Sequence, residues 1–205
     1  MEKPRLLHLA SVTSTQDVAR DLPIGSVVVA DHQTAGRGRS AHAWEAPPGT
    51  ALLVSFVLPP NPLLSLAAGV AAAEACGRNV RLKWPNDLLL DGRKVGGILV
   101  EASPARAICG IGINLTSAPE GAAQLDEPGD QLLERLRPAI ERWSSAPAAL
   151  LLARWRELSD TLGKKVRVEL PDRIVEGIAS DIDASGALVV DGVLVSAGSL
   201  RVLDR

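Results

Sequence analysis

The chain sets short apolar runs against brief polar punctuation, and its rhythm changes near residue 116 and again near residue 163. "RLLHLA" reads as a short strand. "TSTQDVARDL" reads as the start of a helix, with Ser14 or Thr15 as N-cap and acidic Asp17 in the first turn. "GSVVVADHQ" is β-branched throughout its centre and predicts a strand. "TALLVSFVLP" predicts another, closed by Pro59 and Pro60. The alanine-rich "PLLSLAAGVAAAEACG" is too short to cross a bilayer and carries Glu74, so it predicts a buried helix ending near Gly77. In "NVRLKWPNDLLLDGRKVGGILVEA", Asp91-Gly92 between two apolar runs is a two-residue hairpin signal, because both turn positions favour positive φ. "RAICGIGINL" is a further strand. Several strands with few helices point to an α+β fold, a mixed sheet with helices packed on it.

The stretch "TSAPEGAAQLDEPGD" separates this half from two helical segments. The second, "SAPAALLLARWRELSDTLG", has Ser145 as its expected N-cap and Pro147 in its first turn. Beyond Gly163 the period becomes two. Val166, Val168 and Leu170 alternate with charge, and Ile174, Ile178, "GALVVDG" and "GSLRVL" follow between turn residues. This spacing predicts a small five-stranded barrel of SH3 type. The boundary falls near residues 160–164, giving a larger unit over 1–161 and a C-terminal barrel over 162–205.

Composition narrows the classes. The chain has 205 residues, 46% hydrophobic and 22% charged, with a net charge of -2. That balance argues against a general nucleic-acid or anionic-membrane binder, so any anion must be met locally. Cys76 and Cys109 lie in apolar runs without metal-ligand spacing and read as reduced core thiols of a cytosolic protein. No basic segment followed by a long apolar one marks a signal peptide, which also fits a cytoplasmic location.

Local positive charge is concentrated in "QTAGRGRSAHAW", residues 33–44. Gly36 and Gly38 let the backbone turn and approach a ligand. Arg37 and Arg39 bring forked donors suited to phosphate or carboxylate. On these residues alone the stretch is equally a polyanion clamp or a solvated loop. It lacks the lysine and hydroxyl residue of a P-loop. Trp44 stands out in a chain with four Trp and one Phe. It either stacks on a nucleobase or closes the core at a strand start. Lys83 and Asp87 flank a Trp-Pro-Asn turn. Lys94 follows the hairpin tip beside Gly96-Gly97, where glycines permit close ligand approach; the alternative is a solvated tip charge. Gly110, Gly112 and Asn114 in "GIGIN" mark backbone approached by something flat, or a tight sheet contact.

Taken in order, "STQ", "QTAGRGR…W", "KWPNDLLLDGRKVGGILVE" and "GIGIN" resemble the biotin–protein ligases, and the resemblance covers essentially the whole chain. It implies a class II aminoacyl-tRNA-synthetase-like catalytic fold with a C-terminal SH3-like barrel. It also implies a two-step reaction. Biotin and Mg-ATP give biotinyl-5′-AMP and pyrophosphate, and the acyl group then passes to a lysine of a biotin carboxyl carrier protein. Under this resemblance Ser14, Thr15, Gln16, Gln33, Gly36, Arg37, Gly38, Arg39, Lys94, Gly97, Gly110 and Ile113 match biotin-side positions. Arg37, Arg39, Trp44, Lys94 and Asn114 match ATP and adenylate positions, Trp44 and Asn114 holding the adenine. Lys94, Arg39 and Asp87 match the catalytic set, with Asp87 near the incoming acceptor lysine. No protein metal ligands are implied, since Mg2+ travels with ATP, and a homodimer is compatible with the family. Two departures are visible. Ser40-Ala41-His42 replaces the Arg-Gly-Arg that often follows the first arginine pair. "STQ" also begins at residue 14, leaving no room before it for the helix-turn-helix of repressor-type relatives. The alternatives are a lipoate– or octanoate–protein ligase of the same superfamily and a non-catalytic biotin-binding module.

Overall fold

Strands from the first half of the chain build one mixed sheet in a computed structural model that describes residues 3–39, 42–77 and 79–203. They are β1 (Leu6–Leu9), β2 (Val27–Ala30), β3 (Ala51–Leu58), β4 (Val80–Lys83), β5 (Asp87–Leu90), β6 (Arg93–Ala102) and β7 (Ala107–Asn114). Their spatial order is β1-β2-β3-β7-β6-β5-β4, with β1 parallel to β2 and the remaining neighbours antiparallel. The five helices and strands expected before Gly77 all form. Helix α1 (Thr15–Ala19) starts at Ser14, whose Oγ accepts the Gln16 amide at 3.3 Å, and α2 (Leu64–Cys76) ends on left-handed Gly77. Asp91 and Gly92 turn the β5–β6 hairpin with φ of 50° and 73°, as two-residue turn geometry requires.

Strand parity separates the two faces of this sheet. Leu52, Val54, Phe56 and Leu58 on β3 and Cys109, Ile111 and Ile113 on β7 are buried in the main core with α2. Helix α2 is apolar on all sides because α3 (Gly129–Ser144) and α4 (Ala148–Leu158) cover it from outside. Its single charge, Glu74, accepts Trp143 Nε1 and Arg154 Nε, each at 2.9 Å, so the carboxylate ties all three helices together. Both cysteines are buried, and burial pushes the Cys109 thiol up to about 12.

The opposite face of the sheet packs Val28, Val57 and Ile108 against α1 at one end, and towards its middle carries small residues where the other side carries large ones. Ser55, Gly110 and Gly112 alternate with the core residues, and Gly97 pairs with Gly112 across β6 and β7. A glycine-lined sheet face with α1 at one end leaves space above it. A β-bulge refines the geometry: Leu88 pairs with Gly96 but Leu89 pairs with Lys94, so Val95 is the extra residue. The bulge lets Lys94 share the face of Gly97 and Leu99, which strict alternation forbids.

After α4 come β8 (Lys165–Glu169), β9 (Ile174–Ile182), β10 (Leu188–Val190), β11 (Val193–Val195) and β12 (Ser199–Val202). They form a five-stranded antiparallel sheet in the order β11-β10-β9-β8-β12. The two sheets meet at Trp84. Its amide donates to buried Thr161 Oγ1 at 2.9 Å and its Nε1 to the Gly186 carbonyl at 3.2 Å. One expectation fails: Ser145 does not cap α4. Its Oγ donates back to the Glu141 carbonyl at 2.8 Å and it closes α3, while extended Pro147 occupies the α4 cap position. Among the described residues no helix is long and apolar enough to cross a membrane.

Candidate active site

The glycine-lined face opens into a cleft with about 290 Å³ of free space. Its floor is Gly97, Leu99, Gly110 and Gly112; its walls come from α1, the residue 33–44 segment, the β4–β5 turn and, from the C-terminal sheet, Gly198, Ser199 and Leu200. At the α1 end, Gln33 Oε1 accepts from the Thr15 amide at 2.7 Å and from Thr15 Oγ1 at 3.0 Å. Thr15 Oγ1 also lies 2.8 Å from Ser55 Oγ. Gln16 lies over Gly110, where a Cβ would come 3.0 Å from its Nε2. That Nε2 donates to the Leu99 carbonyl at 3.1 Å, while buried Oε1 has no partner among the described residues. Ser14, Thr15, Gln16 and Gln33 thus make a compact polar end to an otherwise apolar slot, with acceptor capacity left over for a ligand's N–H.

Residues 36–44 are not an open loop at their base. Gly38 N–H donates to the His42 carbonyl at 2.7 Å and Trp44 N–H to the Gly36 carbonyl at 2.9 Å, with Arg37 bridged to Ala43 between them. These contacts form the stem of a small hairpin. Ser40 and Ala41, part of the departure marked in the sequence, lie outside the described residues. Gly36 is buried beneath the return strand, and a Cβ there would collide with the Trp44 carbonyl. Near the tip, Arg39 Nη1 donates to Asn86 Oδ1 at 3.0 Å, and Asn86 Nδ2 to the Ile98 carbonyl at 2.9 Å. Burial draws the Arg39 guanidinium below its ordinary value, and the charge of Asp87 opposes that shift.

The middle of the cleft belongs to Trp44 and a charge cluster. The indole lies on the backbone of Gly97 and Gly112, with Nε1 buried and unpartnered among the described residues. Lys94 Nζ sits 6.0 Å from its ring centre and 2.7 Å from Asp87 Oδ1; Lys83 Nζ is 3.8 Å from Asp87 Oδ2. Lys94 is about half exposed, but it lines the cleft and is paired with Asp87. One carboxylate faces two ammonium groups, and with Arg39 nearby the cleft carries a local positive excess that the chain as a whole lacks.

Of the residues that the resemblance matches to functional positions, Ser14, Thr15, Gln16, Gln33, Arg37, Gly38, Arg39, Trp44, Asp87, Lys94, Gly97 and Gly110 line this cleft. Three do not. Gly36 lies under the hairpin, and Ile113 points into the core, fully buried. Asn114 lines a shallower groove beside Gln33, its Nδ2 donating to the Ala123 carbonyl at 2.9 Å. Asn86, Leu99 and the Gly198–Leu200 segment join the site without having been marked. Asn86 was legible in "KWPND", where a side-chain amide sits between the two marked charges; the other two carry no sequence signal.

The cleft thus combines a polar slot, a tryptophan lying on glycine backbone and converging cations on a mixed sheet. The chain belongs to the biotin/lipoate A/B protein ligase family, whose model matches residues 9–116, and residues 161–198 match the biotin protein ligase C-terminal domain. It is 37% identical to a biotin–[acetyl-CoA-carboxylase] ligase of Mycobacterium tuberculosis over 86% of this chain and 78% of that one. It is 34% identical to the enzyme of the same name from Paracoccus denitrificans, over 90% and 93% of the two chains. Among solved structures, the biotin protein ligase from Aquifex aeolicus in complex with biotin and ATP superposes with a TM-score of 0.84 at 27% identity, covering 97% of this chain and 99% of that one.

Proposed function

We infer that the chain is an ATP-dependent biotin–protein ligase, which forms biotinyl-5′-AMP and then acylates a protein lysine. The observation that carries this reading is the cleft itself: a polar end at Ser14, Thr15 and Gln33 is joined by an apolar slot to Arg39 and Lys94. The ureido group of biotin needs a few fixed donors and acceptors at the far end of an apolar channel. Its carboxylate needs positive charge at the other end. Carboxylate and triphosphate repel, and Arg39 and Lys94 offset that repulsion where charge accumulates as the carboxylate oxygen bonds to the α-phosphorus and pyrophosphate leaves. No protein nucleophile is needed, because biotin's own carboxylate attacks. We assign Trp44 as the platform for adenine, Mg2+ as a companion of the nucleotide, and Asn86 as the group that holds Arg39 in place.

Asp87 acts in the second step on this reading. Once Lys94 engages the anions of the substrates, Asp87 keeps a free oxygen beside the cleft mouth and takes a proton from the arriving lysine ammonium. The amine then attacks the acyl carbonyl and AMP leaves. A biotin carboxyl carrier protein is the acceptor proposed, in the cytoplasm where ATP is supplied. We divide the chain at residues 1–161 and 162–205, and the Gly198–Leu200 wall supports a part for the second unit in the nucleotide half of the reaction. Biotin-dependent exchange between labelled pyrophosphate and ATP tests the first step. Exchange with biotin but not with lipoate or octanoate is expected. Exchange with lipoate alone would move the chain to the sister activity, and none with any acid would leave a binding module.

A further inference from the structure

The ion pairs at the foot of the residue 36–44 hairpin play no part in the chemistry above. Arg37 lies in the hydrogen-bonded stem, bridged to Ala43, and its Nη1 donates to Asp17 Oδ1 at 2.7 Å. Its Nη2 stands 3.4 Å from Glu101 Oε1. Arg20 closes the square, 3.0 Å from Glu101 Oε2 and 3.5 Å from Asp17 Oδ1. Asp17 belongs to α1 and Glu101 to β6, so the square joins three elements of the cleft. The helix brings Ser14 at its cap with Thr15 and Gln16 in its first turn, the strand brings Lys94 at its far end, and the hairpin brings Arg39 near its tip.

The side chains of Arg37, Asp17 and Glu101 are 34–35% exposed and that of Arg20 is 53% exposed, so the pairs on Arg37 are partly withdrawn from water while those on Arg20 are screened by it. Two guanidinium groups against two carboxylates make a neutral square. Arg37 therefore adds little net field where phosphates bind, whereas Arg39 sits beside an uncharged amide. The two loop arginines have different surroundings and divide the work: the stem arginine anchors and the tip arginine reaches.

We propose that Asp17 and Glu101 are positioning residues that hold Arg37, fix the stem of the hairpin at the edge of the cleft, and so set how long the acyl-adenylate stays bound. This rests on the ligase reading for the identity of what is retained, but the anchoring itself does not. Arg37 lines the cleft and neither carboxylate does, so the carboxylates act through Arg37. Losing them frees the stem, and an adenylate covered by a looser hairpin escapes sooner even though the groups at the reacting phosphorus are intact.

The test uses the full chain with Asp17→Asn and Glu101→Gln, singly and together, since both replacements keep shape and remove charge. Three quantities are read: single-turnover release of preformed biotinyl-5′-AMP, the adenylation kcat at saturating biotin and ATP, and trypsin cleavage after Arg39 without ligand. The double variant should release adenylate about tenfold faster and be cut about tenfold faster, while kcat stays within about twofold. Asp17→Glu should restore slow release. In an Arg37→Ala background the two carboxylate changes should add nothing, because their effect passes through the lost guanidinium. Wild-type release and cleavage in the double variant would overturn the proposal, and so would additivity with Arg37→Ala. Should the double variant melt below assay temperature, Asp17→Asn alone supplies the same readouts. If the wild-type chain makes no adenylate, the ligase reading fails, and cleavage after Arg39 still decides whether the carboxylates anchor the stem.

Discussion

Gly112 is the position where one methyl group separates the fold from the function. Trp44 rests its ring on the backbone of β7, and a Cβ on Gly112 would lie 2.6 Å, 2.8 Å and 3.0 Å from three indole carbons. Carbon atoms pack comfortably at about 3.5–4.0 Å, so Gly112→Ala lifts the ring by about 1 Å. The ring is only partly buried and has open cleft above it, so the core beneath stays put and the stability cost stays at about 1–3 kcal/mol. A platform displaced by about 1 Å no longer matches a nucleotide held at its phosphates by Arg39 and Lys94, and such misplacement is costly in bound geometry. We expect the KM for ATP to rise about tenfold or more while the KM for biotin, bound at the α1 end, changes by less than about threefold. The assay is biotin-dependent pyrophosphate release across an ATP titration. Gly97→Ala is the matched control: its Cβ would sit 3.4 Å from the ring and 3.6 Å from the Lys94 side chain, ordinary contact distances. A Gly112→Ala enzyme with wild-type KM for ATP would refute the role given to Trp44. Equal damage from Gly97→Ala would refute the steric argument.

Lys94→Ala removes a cation aimed at the reacting carboxylate and phosphate, and should slow pyrophosphate release by ~10²–10³ with an unchanged melting temperature; wild-type release would return it to a partner of Asp87 only. Thr161→Val leaves the buried Trp84 amide without its 2.9 Å acceptor and should cost about 1–3 kcal/mol in chemical denaturation, against no change if the amide finds another partner. Cys109 should resist thiol reagents at pH 8 until the chain unfolds. Its folded thiol keeps its proton up to about 12, whereas an unfolded thiol ionises near 8.5. The unfolded state therefore binds fewer protons across that window, and stability falls as pH rises through it. Cys109→Ala should flatten that fall, and an identical alkaline decline in the variant would contradict the assignment.

Much of the fold was legible because it is written in short-range chemistry. The Ser14 cap, the left-handed Gly77 terminus and the Asp91-Gly92 turn each depend on two or three neighbouring residues, and each appears where the pattern predicts it. Ser145 misled for the same reason. A serine before Ala-Pro satisfies the rule for a helix start, but here its hydroxyl bonds backwards to a helix already present. The site was legible as a set of residue types and less so as geometry. "GIGIN" marked a backbone approached by something flat, and the flat group at Gly112 is the chain's own Trp44, 68 positions earlier in sequence. Parity alone turns Lys94 away from Gly97; the bulge at Val95 restores it, and no residue type there announces a bulge. Asp17 was marked only as a first-turn acid and Glu101 not at all, because such carboxylates become an anchor only once α1, β6 and the hairpin meet.

The central claim is transfer of biotin to a protein lysine, and the most direct measurement is the intact mass of an acceptor. The chain is incubated with biotin, Mg-ATP and a biotin carboxyl carrier domain, and the carrier is weighed before and after. The account predicts a mass increase of one biotinyl group, placed by fragmentation on a single lysine, dependent on ATP and absent with the Lys94→Ala chain on the same timescale. An unmodified carrier in a reaction that consumes ATP and biotin would contradict it, and so would a carrier modified as fully by Lys94→Ala as by the wild-type chain.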